Sequence, residues 1–201
     1  SYNGVIDMST YTAEMEEWCQ KLENYHLPRW NELPDIELYM DQVVTLIEKH
    51  VRFLSLHEDK LLTSAMINNY VKLGLMPKPE KKRYERTHLA YLIVITLLKQ
   101  VLTITEVKDG ILLQSRINGT HGAYDLFCQE LEHALKRIAS TAQLVQDPAI
   151  LVDGDLTKEN LAVKMVSNAY AYKLLTEKIL SIRQQDLPEP AESKEKSKKG
   201  D

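Results

Sequence analysis

The chain is expected to be all-α, and three observations carry that expectation. Its 201 residues include only seven glycines and seven prolines. Long stretches are built from Leu, Glu, Lys and Ala, which favour helix. No segment alternates apolar and polar residues between turn signals, as half-buried strands do. Hydrophobic residues make up 44% and charged residues 27%, so a chain of this length has the material for a sizeable core.

The elements follow in order. Ser9 can cap a first helix over about 10–25, with Met15, Trp18, Cys19 and Leu22 on one face. LPRWNELPD is a connection, and Asp35 can cap a second helix. There Tyr39, Met40, Val43, Ile47, Val51 and Leu54 recur at helical spacing. LHEDK breaks it. Thr63 or Ser64 caps a short third helix that ends near Leu73, with Gly74 where a left-handed residue is wanted. Pro77 and Pro79 then enforce an extended path. A fourth helix is expected over about 87–102. Its run LAYLIVITLL, Leu89 to Leu98, is about half the ~20 residues of a membrane span and reads as a helix buried on most sides.

A short fifth helix is expected over about 105–113, a break at NGTHG from Asn118 to Gly122, and a sixth helix over about 124–145. The sixth would bury Phe127, Leu131, Leu135, Ile138 and Ala142. DPAILVDGD is a loop, and Thr157 caps a last helix to about Gln184. The tail from Leu187, PEPAESKEKSKKGD, has too few apolar residues to fold.

Several chemistries find no support. Cys19 and Cys128 form no CxxC or Cys/His pattern, so neither a disulfide framework nor structural zinc is expected. A reducing, cytoplasmic location suits them, since the N-terminus carries early acids and no apolar signal core. The six histidines form no HExxH pair, and Asp153-Gly154-Asp155 is a calcium-loop fragment without its other ligands. There is no phosphate-cradling loop and no GxSxG. No catalytic residue, metal or cofactor is therefore assigned, and the chain is not expected to be an enzyme. Phe127, Tyr124, Tyr170 and Tyr172 could line an effector pocket or simply pack a core.

The segment from Thr63 to Leu89, TSAMINNYVKLGLMPKPEKKRYERTHL, is the most informative. At 100° per residue, Ala65, Asn68, Asn69 and Lys72 share one stripe, and Ile67, Tyr70 and Val71 the opposite one. Asn can pair with an adenine edge and Lys can reach phosphate or guanine. Lys72, Lys78, Lys81, Lys82, Arg83 and Arg86 face only Glu80 and Glu85 in sequence. A short helix with a basic extended arm is the shape of a wing on a DNA backbone. It is equally the shape of an ordinary solvated helix and loop. The net charge of −4 speaks against a uniformly basic binder, but screening over about 10 Å lets a local patch act alone.

The residue order resembles the DNA-binding head of MerR-type regulators. Thr63 matches the cap, Ile67 the buried Ile, and Asn69-Tyr70 the aromatic pair. Gly74-Leu75-Met76-Pro77-Lys78-Pro79 matches the turn, and Lys82-Arg83-Tyr84 the wing. LKQVLTITEVKDG, Leu98 to Gly110, is similar to the helices that follow in that family. More closely, LYMDQV, MINNYVK and HLAYLIVITLLKQVL resemble a bacterial family known as a domain of unknown function (number 1836), over an expected span of residues 30 to 180.

These resemblances imply a MerR-like winged helix-turn-helix over 35–115, preceded by an N-terminal helix and connection over 1–34. A C-terminal helical region over 116–186 and the tail 187–201 follow. They imply a sequence-specific transcription regulator whose DNA-binding residues are Thr63, Ala65, Asn68, Asn69, Lys72, Lys78, Lys81, Lys82, Arg83, Tyr84 and Arg86. Ala65 and Asn68 stand where such heads often carry arginine, so base contacts do not transfer directly.

In the last helix Leu161, Met165, Asn168, Tyr172, Leu175, Ile179 and Ile182 form a heptad seam. The resemblance implies that it joins two copies, with Asn168 fixing register. Ala162, Val166 and Ala169 widen the stripe, which suits packing on the sixth helix of the same chain instead. The alternative function is an all-helical protein-interaction module.

Overall fold

The computed structural model describes residues 8–143, 157 and 159–184. Among them lie six α-helices and no extended strand, only two isolated β-bridges. The helices are α1 (Met8–Glu23), α2 (Met40–Val51), α3 (Ser64–Lys72), α4 (Arg86–Leu98), α5 (Ile104–Ala142) and α6 (Leu161–Gln184). The expected loop DPAILVDGD, with Asp153-Gly154-Asp155, and the tail from Leu187 lie outside the described residues.

Some expected boundaries shift. Ser9 already lies within α1. Asp35 does not cap α2: the helix starts at Met40, and Tyr39 N–H donates to Gln42 Oε1 at 2.9 Å. Tyr39 itself is exposed rather than part of the buried face. The fifth and sixth helices are one kinked element. The chain stays helical past Leu113, and the NGTHG break reduces to Gly119, with φ 70° and ψ 169°. Only glycine tolerates that conformation readily. α5 starts earlier than expected because Thr103 and Glu106 form a capping box, each side chain meeting the other's backbone N–H at 3.3 Å.

α4 is the centre of the first half. Leu89, Leu92, Ile93, Ile95 and Leu97 have no exposed surface, which is why the run is apolar on nearly every side. Lys99 continues past its end and fastens α3 to it. Its ammonium donates to the Leu61 carbonyl at 2.6 Å and to the Tyr70 hydroxyl at 3.1 Å.

α1, α5 and α6 form the second half. α1 buries Met15, Trp18, Cys19 and Leu22, the face its spacing predicts. The connection between α1 and α2 lies along α5. Arg29 forms an ion pair with Glu132, which also accepts the Leu27 N–H, and Tyr124 donates to the Pro28 carbonyl at 2.6 Å. Tyr170 of α6 reaches back to the Leu54 carbonyl at 2.5 Å, so the two halves share hydrogen bonds as well as core.

α6 settles the two readings of its stripe in part. Leu175 and Ile182 are buried within the chain, whereas Leu161, Met165 and Tyr172 are exposed. Asn168 is not free to set the register of a second copy, because its Oδ1 accepts from Arg137 on α5 at 2.5 Å.

Candidate nucleic-acid interface

α3 is fixed at both ends by its own sequence. Thr63 Oγ1 accepts the Met66 N–H at 3.2 Å. At the other end Gly74 takes φ +68°, its N–H meets the Val71 carbonyl, and Leu75 N–H meets the Tyr70 carbonyl. Those two bonds make a Schellman stop. Ile67 and Tyr70 are buried, while Ala65, Asn68, Asn69 and Lys72 are all exposed. The amide stripe is therefore solvent-facing, and Thr63 is half-buried with its hydroxyl committed to the cap.

Beyond Pro79 the chain makes a two-residue reversal. Glu80 and Arg83 form an antiparallel bridge, with Arg83 N–H on the Glu80 carbonyl at 2.8 Å. The two residues at the tip, Lys81 and Lys82, have φ 46° and 60°. A turn with both central residues at positive φ ordinarily carries Asn-Gly or Gly-Gly, because a β-carbon is strained there. Here both places carry lysine. The outgoing arm is anchored by a second bridge, in which Leu38 and Tyr84 exchange N–H···O bonds of 2.9 Å in both directions.

The basic residues divide into two groups. Lys72, Lys78, Lys81 and Lys82 are exposed, and none makes an ion pair or side-chain hydrogen bond among the described residues. Arg83 is engaged locally, 2.8 Å from Glu37 and over the Tyr39 ring at 5.5 Å. Arg86 is half-buried, donating to the Leu33 carbonyl at 3.2 Å. Tyr84 does not stand with the outward-facing residues. It is 3% exposed and meets the His88 ring edge-on, so its role is to seat the reversal on α4. Sequence spacing could not separate these groups, because the partners Glu37, Leu33 and Leu38 lie far away along the chain.

Residues 28–127 match the family model described as Domain of unknown function (DUF1836). Neither the curated proteins nor the solved structures contain a match. The matched segment takes in α2, α3, the lysine turn, α4 and α5 as far as Phe127. It stops short of the expected residue 180, and α1 and α6 lie outside it. The α3 stripe and the lysine turn both fall within the matched segment.

Among the described residues no group of side chains could hold a metal ion, and no helix is long and apolar enough to cross a membrane.

Proposed function

We propose that this chain is a DNA-binding transcription regulator with a winged helix-turn-helix head, α3 entering the major groove and the 80–83 turn gripping the backbone. The observation that supports this most is the lysine pair at the turn. Two positions whose backbone favours Asn-Gly carry two unpaired ammonium groups instead. Strain of that kind is retained where the side chains have work to do. Ala65, Asn68, Asn69 and Lys72 would face bases, and Lys78, Lys81 and Lys82 would face phosphates. A second copy joined through exposed Leu161, Met165 and Tyr172 would give a rough palindrome as operator.

The test is fluorescence anisotropy with labelled duplex from upstream of the chain's own gene, beside a scrambled duplex, at two salt concentrations. Replacing Lys81 and Lys82 with Ala is expected to weaken binding to every sequence and reduce the salt slope by roughly two. Asn69→Ala is expected to relax sequence preference. Unchanged binding in both variants would sink the assignment.

A second reading, a protein-interaction module, draws support from exposed Leu112, Leu113 and Ile117 on α5 together with Leu161, Met165 and Tyr172 on α6. Absence of DNA binding at low salt, with a stable monomer, would favour it.

A further inference from the structure

A cavity of about 560 Å³ lies between α4, α5 and α6, within the range of roughly 300–1,000 Å³ common for small-molecule sites. Its apolar walls include Tyr91 and Val94 of α4, Tyr124 and Phe127 of α5, and Val166 of α6. Small residues leave the room: Ala90, Gly110, Ala123, Ala162 and Ala169. Gly110 is telling because it sits inside α5, where glycine is a poor helix former. A β-carbon there would meet nothing within 4 Å, so packing does not require the glycine.

The charged groups on the lining favour one kind of ligand. They are the carboxylates of Glu106 and Asp109, with no Lys, Arg or His, beside the neutral hydroxyls of Tyr91, Ser115, Thr120 and Tyr124. Glu106 is occupied by the α5 cap, accepting from the Thr103 hydroxyl at 2.6 Å. Asp109 is exposed and has no ion pair or hydrogen bond among the described residues. The neighbouring cation, Lys108, is directed to the Leu73 carbonyl at 3.5 Å. Gln114 also lines the site, but its Nε2 donates to the Glu159 carbonyl at 3.3 Å and its Oε1 is buried away from the open space. An unpartnered carboxylate at the edge of an apolar space calls for a cationic N–H donor on an apolar body.

We infer that this cavity binds an organic ammonium ion. Its apolar body fills the space between α4 and α6, and its ammonium faces the Asp109 carboxylate.

The experiment is calorimetric titration of the full chain with three probes of one shape: 1-naphthylmethylamine, 1-naphthylmethanol and 1-naphthoate. The amine is expected to bind about tenfold or more tightly than the alcohol, as a charge-assisted hydrogen bond implies, and the carboxylate more weakly still. Asp109→Asn should remove the preference for the amine while leaving the alcohol's affinity in place. Gly110→Leu should narrow the cavity and weaken binding of all three probes while raising Tm by roughly 2–4 °C, since a good helix former replaces glycine. Failure of the amine to bind, equal affinity for all three probes, or binding undiminished by Gly110→Leu would each overturn the inference. So would sedimentation showing that the amine binds only as a dimer dissociates, which would assign the mouth to a second copy. None of these readouts involves DNA, so they stand or fall apart from the proposed regulator function.

Discussion

Lys164 on α6 donates to both carboxylate oxygens of Glu130 on α5, each at 2.9 Å, with the two side chains only 7% and 6% exposed. A buried pair of this kind is costly to break from one side, because the survivor is left as an uncompensated charge. Lys164→Ala is expected to lower the free energy of unfolding by about 3–5 kcal/mol, and Glu130→Leu with Lys164→Met to recover most of that loss. Urea unfolding of the parent chain and the two variants reads the difference. A loss below about 1 kcal/mol for Lys164→Ala would place the pair among ordinary surface ion pairs.

The lysine turn makes an opposed pair of expectations. Replacing Lys81 with Asn and Lys82 with Gly fits the residues to their positive φ values of 46° and 60°. Relief of left-handed strain should raise stability by about 1 kcal/mol or more. The same change should weaken DNA binding, since it removes two ammonium groups. Thermal unfolding and anisotropy on one preparation test both, and a variant that gains stability without losing DNA affinity would separate the turn from function.

Gly119 should not tolerate a side chain. Space is not the obstacle, since a β-carbon there would meet nothing within 4 Å. The obstacle is the backbone at φ 70° and ψ 169°. Gly119→Ala is expected to cost about 1–3 kcal/mol, read by urea unfolding. A neutral result would mean that the two limbs of α5 can straighten without loss.

Acid should destabilise the chain in two stages. Burial holds the His88 imidazole below its usual pKa. Burial pushes the Glu132 carboxyl up, but Arg29 and the Leu27 N–H outweigh it and the net shift is downward. Glu48 follows the same pattern, with the Leu62 N–H and Arg52 outweighing burial. In each case the unfolded chain binds its proton more readily than the folded one. The stability from these groups is thus complete above their unfolded pKa values, about 6.5 for His and 4.3 for Glu, and is lost as pH falls through the folded values. Urea midpoints should start to fall below about pH 6.5 and again below about pH 4.3. The first decline should shrink in His88→Gln and the second in Glu132→Gln.

Features set by near neighbours could be read from the amino-acid order alone. The Thr63 cap, the Gly74 stop, the exposed stripe of α3 and the buried face of α1 were all legible, because a helix end or face is set by residues within a turn or two. The kink at Gly119 was legible as a break for the same reason. Features that need a partner from a distant segment emerge only when the helices pack. Tyr84 faces inward because Leu38 takes both its backbone bonds, and Arg83 is neutralised by Glu37 on a distant segment. The stripe of α6 divides between buried Leu175 and Ile182 and exposed Leu161, Met165 and Tyr172, since α5 and α1 cover one side of it. Heptad spacing states that a face is apolar but not which surface lies against it. The cavity between α4, α5 and α6 arises from small residues that are scattered in the chain and meet only when three helices pack.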